Sequence, residues 1–141
     1  MPKPSILFFS EDIDFKLKNS KKTVSWINDS IKKEGKVPGE LNFIFCSDNH
    51  LLQMNLDYLQ HNTFTDIITF DTSEEKDLIC GDIFISIDRV KDNAIKFKKE
   101  PDNELHRVII HGVLHLMGYS DKTANKKSIM RGKEDAYLSL R

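Results

Sequence analysis

Apolar positions along this chain follow two periods, and the change from one to the other marks its elements. Short apolar or alternating runs bounded by turn residues predict strands at Ser5 to Phe9, Leu41 to Cys46, in the later part of His61 to Asp71, and at Leu78 to Ser86. The third of these emerges from a polar loop that begins at His61. A charged turn, Ser73-Glu74-Glu75-Lys76-Asp77, separates it from the fourth, so the two are expected to pair as a hairpin. Spacing of three and four predicts a helix from Asn19 or Ser20 to about Glu34, with Val24, Ile27 and Ile31 on one face and Gly35 as its stop. Trp26 falls off that stripe and is expected at an edge. Pro38-Gly39 reads as a turn before the second strand. Further helices are predicted from Asp48 to about Gln60, capped by Ser47, and from about Asp88 to Lys99, before Pro101. The last two run from Asp102 or Asn103, with Glu104 in the first turn, and over residues 125 to 139, with Ile129, Met130, Tyr137 and Leu138 available for packing.

Strands and helices are thus intermixed without strict alternation, which predicts an α+β fold: a small mixed sheet packed with helices around a central helix. Residues 1–141 suffice for a single domain. Apolar residues at 39% and charged residues at 30% describe an ordinary soluble protein, and no apolar run approaches the roughly 20 residues of a membrane span. Ile6-Leu7-Phe8-Phe9 is too short for a signal-peptide core, so a cytoplasmic protein is expected, without a membrane partner. Cys46 and Cys80 lie in separate strand-like runs with no C-x-x-C spacing and read as buried, inert thiols.

The central helix carries the chemistry. In His106-Arg107-Val108-Ile109-Ile110-His111-Gly112-Val113-Leu114-His115-Leu116-Met117, two imidazoles sit among apolar side chains. At 100° per residue, His111 and His115 lie about 40° apart around the axis and about 6 Å apart along it, within reach of one metal ion. Gly118 can take a left-handed conformation and end the helix, which lets Asp121 fold back as a third ligand. Three protein ligands and an open position describe a catalytic metal. Zinc is the default ion, and manganese, nickel or cobalt also suit the set. Such an ion lowers the pKa of its water from about 16 towards about 7, which points to hydrolysis, with the general base unassigned and no organic cofactor expected. In H-E-x-x-H peptidases a glutamate follows the first histidine. Here that position is Gly112, which disfavours a peptidase and suggests close approach of another element or of substrate.

Charge adds a local signal. The net charge is −1, yet residues 16 to 36 hold seven lysines against two acids, and residues 122 to 141 hold six basic residues against two acids. Such clusters are usually solvated helix faces, although a local patch could also bind a polyanion.

At these residues the sequence resembles the YbeY family of bacterial single-strand-specific endoribonucleases. His111 to Asp121, H-G-V-L-H-L-M-G-Y-S-D, is similar to the family's H-G-x-L-H-L-x-G-Y-D-H. Asn55-Leu56-Asp57-Tyr58, Thr65 to Phe70 and Gly81 to Ser86 resemble its L-N-x-x-Y, T-D-V-L-S-F and G-D-I-x-I-S. The resemblance implies a zincin-like fold, a zinc-like ion on His111, His115 and Asp121, and metal-dependent cleavage of single-stranded RNA. It further implies ribosomal RNA maturation and quality control, with RNA and ribosomal particles as partners. Two positions depart from the family pattern. Asp121 stands where a third histidine is usual, and Leu59 stands where an arginine suited to phosphate is usual, with His61 and Lys122 nearby. The second departure motivates an alternative: a ribosome-associated assembly factor whose metal is mainly structural.

Overall fold

The computed structural model describes residues 4–60 and 65–141. Of the loop expected from His61, residues 61–64 lie outside the described residues. The elements run β1 (Ser5–Ser10), α1 (Ser20–Lys33), β2 (Val37–Cys46), α2 (Asp48–Leu59), β3 (Ile67–Asp71), β4 (Leu78–Ser86), α3 (Ile87–Lys96), α4 (Pro101–Leu116) and α5 (Ala124–Leu138). The sheet order is β1-β2-β4-β3. β1, β2 and β4 are parallel, and β3 joins antiparallel to β4 with Ile67 opposite Ile85 and Asp71 opposite Gly81, the expected hairpin. This is the α+β class that the sequence predicts.

Period-two alternation sorts the sheet's side chains. Leu41, Phe43 and Phe45 of β2, with Ile83 and Ile85 of β4, enter a large core shared with α1, α3, α4 and α5. Cys46 and Ile68 enter a small cluster with Leu51 of α2 on the opposite face. α4 lies on the first face against β3 and β4 and also meets α1, α3 and α5. Its Ile109, Ile110, Val113 and Leu114 are fully buried, each worth about 1.5–3 kcal/mol of burial. Two glycines set how closely it approaches. A Cβ on Gly112 would meet Ile67 Cδ1 at 2.8 Å, and one on Gly81 would meet Leu116 Cδ1 at 2.8 Å. The close approach at Gly112 is therefore to sheet side chains, not to substrate, and a peptidase-type glutamate there would point into the core.

Four sequence expectations need correction. Pro38 and Gly39 belong to β2, where a register shift between Pro38 and Leu41 absorbs them. A Cβ on Gly39 would lie 2.5 Å from Cys80 Sγ, so the glycine serves strand contact and not a turn. Trp26 is buried, and its Nε1 donates to the Tyr137 carbonyl at 2.8 Å; a second helix packing beside α1 widens the buried stripe beyond the face that faces the sheet. Helix α3 ends at Lys96, and Lys98 is left-handed at φ 56°, which turns the chain before Pro101 opens α4. Cys80 is half-buried, whereas Cys46 is fully buried and burial pushes its thiol up to about 12.

Candidate metal centre

Arg107, His111 and His115 are spaced four apart on α4 and so share one face. The helix stops at Leu116, and Gly118 takes φ 102° with its N–H donating to the His115 carbonyl at 3.0 Å. Tyr119 N–H then donates to the Leu114 carbonyl at 3.1 Å, which folds the chain back over the helix end. That reversal brings Asp121 to the histidines. Its Oδ2 lies 3.5 Å from His111 Nε2 and 3.6 Å from His115 Nε2, and the two nitrogens are 3.0 Å apart. These are the three residues named from the sequence, and the structure brings all of them together.

The donor set fits a divalent ion. A tetrahedral ion bonded to nitrogen and oxygen at about 2.0–2.1 Å holds its ligand atoms about 3.3 Å apart, and the three separations bracket that value. Three electron-pair donors turned towards one point also repel one another unless a cation or proton lies between them. The side chains are 22%, 27% and 42% exposed for His111, His115 and Asp121, so one side of the triad is open.

A second layer supports the first. His111 Nδ1 donates to Glu134 Oε2 at 2.7 Å, which leaves the Nε2 lone pair for an ion. Arg107 Nη1 donates to Glu134 Oε1 at 2.7 Å, and its Nη2 to Asp135 at 2.6 Å. Burial works against a charge on Glu134, but the bonds from His111 and Arg107 outweigh it and lower its pKa. Burial also opposes charge on His111, yet Glu134, Asp66 and Asp121 together raise its pKa. His115 is lowered, by burial and by the neighbouring His111. Neutral imidazole is the form that binds metal, so the fall at His115 favours an ion there and the rise at His111 works against one.

The turn that carries Asp121 is tied down separately. Tyr119 Oη donates to Glu34 Oε1 at 2.5 Å, and Lys133 Nζ pairs with Glu34 Oε2 at 3.1 Å. Tyr137 Oη donates to the same oxygen. Burial alone would raise the Glu34 carboxyl; these three donors outweigh it and hold it below its ordinary value. One carboxylate just past α1 thereby clamps the ligand turn to α5.

Beside the triad opens a cleft of about 640 Å³. Asp66, Glu104, Asp121 and Glu134 line it together with Arg107, Lys127 and Arg131. Asp66 and Glu104 are both raised, each chiefly by burial. The basic stretch 122 to 141 therefore does reach the cleft, and no residue of the stretch 16 to 36 lines it. Leu59 ends α2, is 46% exposed and does not line it either; nor does Lys122.

Sequence reasoning missed Glu134 and the bonding role of Arg107. A signal existed: Glu134 and Asp135 are the acids of an otherwise basic helix, and Arg107 sits one turn before His111.

Comparison with known proteins identifies the family. The family model described as Endoribonuclease YbeY matches residues 6–140. A relative of that name from Cytophaga hutchinsonii is 56% identical over 141 residues, covering 100% of this chain and 99% of its own. One from Amoebophilus asiaticus is 51% identical over 138 residues, covering 98% and 94%. A Thermotoga maritima protein of known solution structure superposes with a TM-score of 0.66 at 29% identity, covering 95% of this chain and 87% of that one. With the histidine helix, the returning turn and the sheet beneath them all accounted for within the matched span, the chain belongs to the YbeY family of endoribonucleases.

Proposed function

We propose that this protein is a single-strand-specific, metal-dependent endoribonuclease of the cytoplasm, acting on ribosomal RNA in maturation and quality control, with ribosomal particles as partners. His111, His115 and Asp121 hold one divalent ion, zinc by the chemistry of two imidazoles and a carboxylate. The observation that carries this reading is the convergence of three donor atoms, 3.0 to 3.6 Å apart, at the edge of an open cleft. When bound there, a divalent ion polarises a phosphoryl oxygen and acidifies water, the two effects that phosphodiester hydrolysis requires.

The protein's own residues prepare that position. Glu134 takes the Nδ1 proton of His111 into a hydrogen bond, which fixes the tautomer and the ring. Arg107 holds Glu134 from the other side. Tyr119, through Glu34, keeps the Asp121 turn closed over the helix end. Gly112 lets α4 lie close to the sheet, so the histidines stand on a rigid support.

The test is cleavage of an unstructured oligoribonucleotide by wild type and His115→Ala, purified identically, with zinc or manganese added. Cutting by wild type alone supports the nuclease reading. Equal cutting by both, or none with either metal, moves the assignment to the ribosome-associated assembly factor.

A further inference from the structure

The cleft beside the triad is lined by charges of both signs. Near the histidines it is acidic, through Asp66, Glu104 and Glu134, a surface that repels a phosphate chain. Arg107 offers no relief, because Glu134 and Asp135 occupy both of its terminal nitrogens. Two other cations of the lining differ from it. Lys127 and Arg131 stand four residues apart on the exposed side of α5, and neither is in an ion pair among the described residues. Phe97, which caps the C-terminus of α3, is 53% exposed and lines the same cleft. Lys96 Nζ lies 5.5 Å from the centre of its ring.

An exposed aromatic ring with free cations nearby is how proteins hold single-stranded nucleic acid: bases stack on the ring and the cations follow the backbone. A base within a duplex has both faces covered by its neighbours and cannot offer one to a side chain. We propose that Phe97 is a stacking platform for an unpaired base of the RNA substrate, that Lys127 and Arg131 hold the phosphates beside it, and that this subsite supplies the preference for single strands. The inference rests on the RNA-cleaving reading above and deepens it. It also gives the cleft phosphate contacts that Leu59 does not provide.

The experiment measures binding as well as turnover, so that the two readings fail separately. A fluorescently labelled, unstructured oligoribonucleotide and its duplex are titrated by anisotropy with wild type, Phe97→Ala, Phe97→Trp and Ile95→Ala. Ile95 is 79% exposed near the same helix end but does not line the cleft. Phe97→Ala should weaken binding of the single strand by roughly 5- to 100-fold and lower the ratio of single-strand to duplex affinity. Phe97→Trp should retain the affinity, and Ile95→Ala should leave it unchanged. In cleavage, Phe97→Ala should raise KM by a similar factor with kcat changed far less. Unchanged single-strand affinity in Phe97→Ala, or an equal loss in Ile95→Ala, overturns the proposal whether or not wild type cuts RNA. Absence of cutting by wild type, with the Phe97 effect on binding intact, overturns only the enzymatic reading.

Discussion

One face of the sheet packs Leu41, Phe43, Phe45, Ile83 and Ile85 against α1, α3, α4 and α5, and His111, His115 and Glu134 project from helices on that face, with Asp121 on the turn between them. The other face meets α2 through Cys46, Leu51 and Ile68, and leaves Leu7 and Phe9 of β1 about half exposed. Both faces bury apolar surface and both stabilise the fold. They differ in what depends on that packing. A ligand position must hold to within a few tenths of an ångström, and side chains locked in a dense core supply that precision.

The comparison is broken most severely on the first face. His115→Ala removes one of the two proposed helix ligands, and metal binding and RNA cleavage should fall together by more than about 1000-fold, read by metal titration and oligoribonucleotide cleavage. Next comes the opposite face. Leu51→Ala should cost about 2–4 kcal/mol in chemical denaturation while the folded protein keeps its metal affinity. Loss of affinity in the folded fraction would show that the α2 face also positions the ligands. Glu134→Gln tests the layer behind His111: an amide cannot hold the Nδ1 proton as a carboxylate does, and metal affinity should fall about 10- to 100-fold with little change in melting temperature.

The smallest effect concerns Glu34. Its carboxyl is lowered in the folded protein, so its contribution to stability is complete above the ordinary value of 4.5 and is lost as pH falls through the folded-state value. Glu34→Gln should therefore flatten the acid limb of the stability curve, its loss of stability fullest near neutrality and vanishing in acid, as followed by denaturant midpoints between about pH 3 and 7. An acid limb as steep as that of wild type would remove Glu34 as the clamp.

Local chemistry made most of the fold legible in the sequence. Ser47 caps α2 by accepting from His50 N–H, and the hairpin β3–β4 follows from two β-branched runs around a charged turn. The triad was legible for the same reason: His111, His115 and Asp121 lie within one helix end and one turn, where spacing alone places them. What sequence spacing does not carry is contact between distant elements. Glu134 lies 23 residues from His111, and Trp26 lies 111 residues from the Tyr137 carbonyl it bonds; both depend on how α5 docks. Pro38-Gly39 misled because local propensity favours a turn, whereas pairing with β4 holds the segment extended.

The clamp at Glu34 has a consequence for how the site comes together. Its partner tyrosines lie 85 and 103 residues further along, so these bonds are among the most non-local of the described residues. During synthesis from the N-terminus, the chain carries both histidines and Asp121 before Lys133, Glu134 and Tyr137 have been added. The histidine pair and Asp121 therefore gain the supports of Glu34 and Glu134 only when α5 docks.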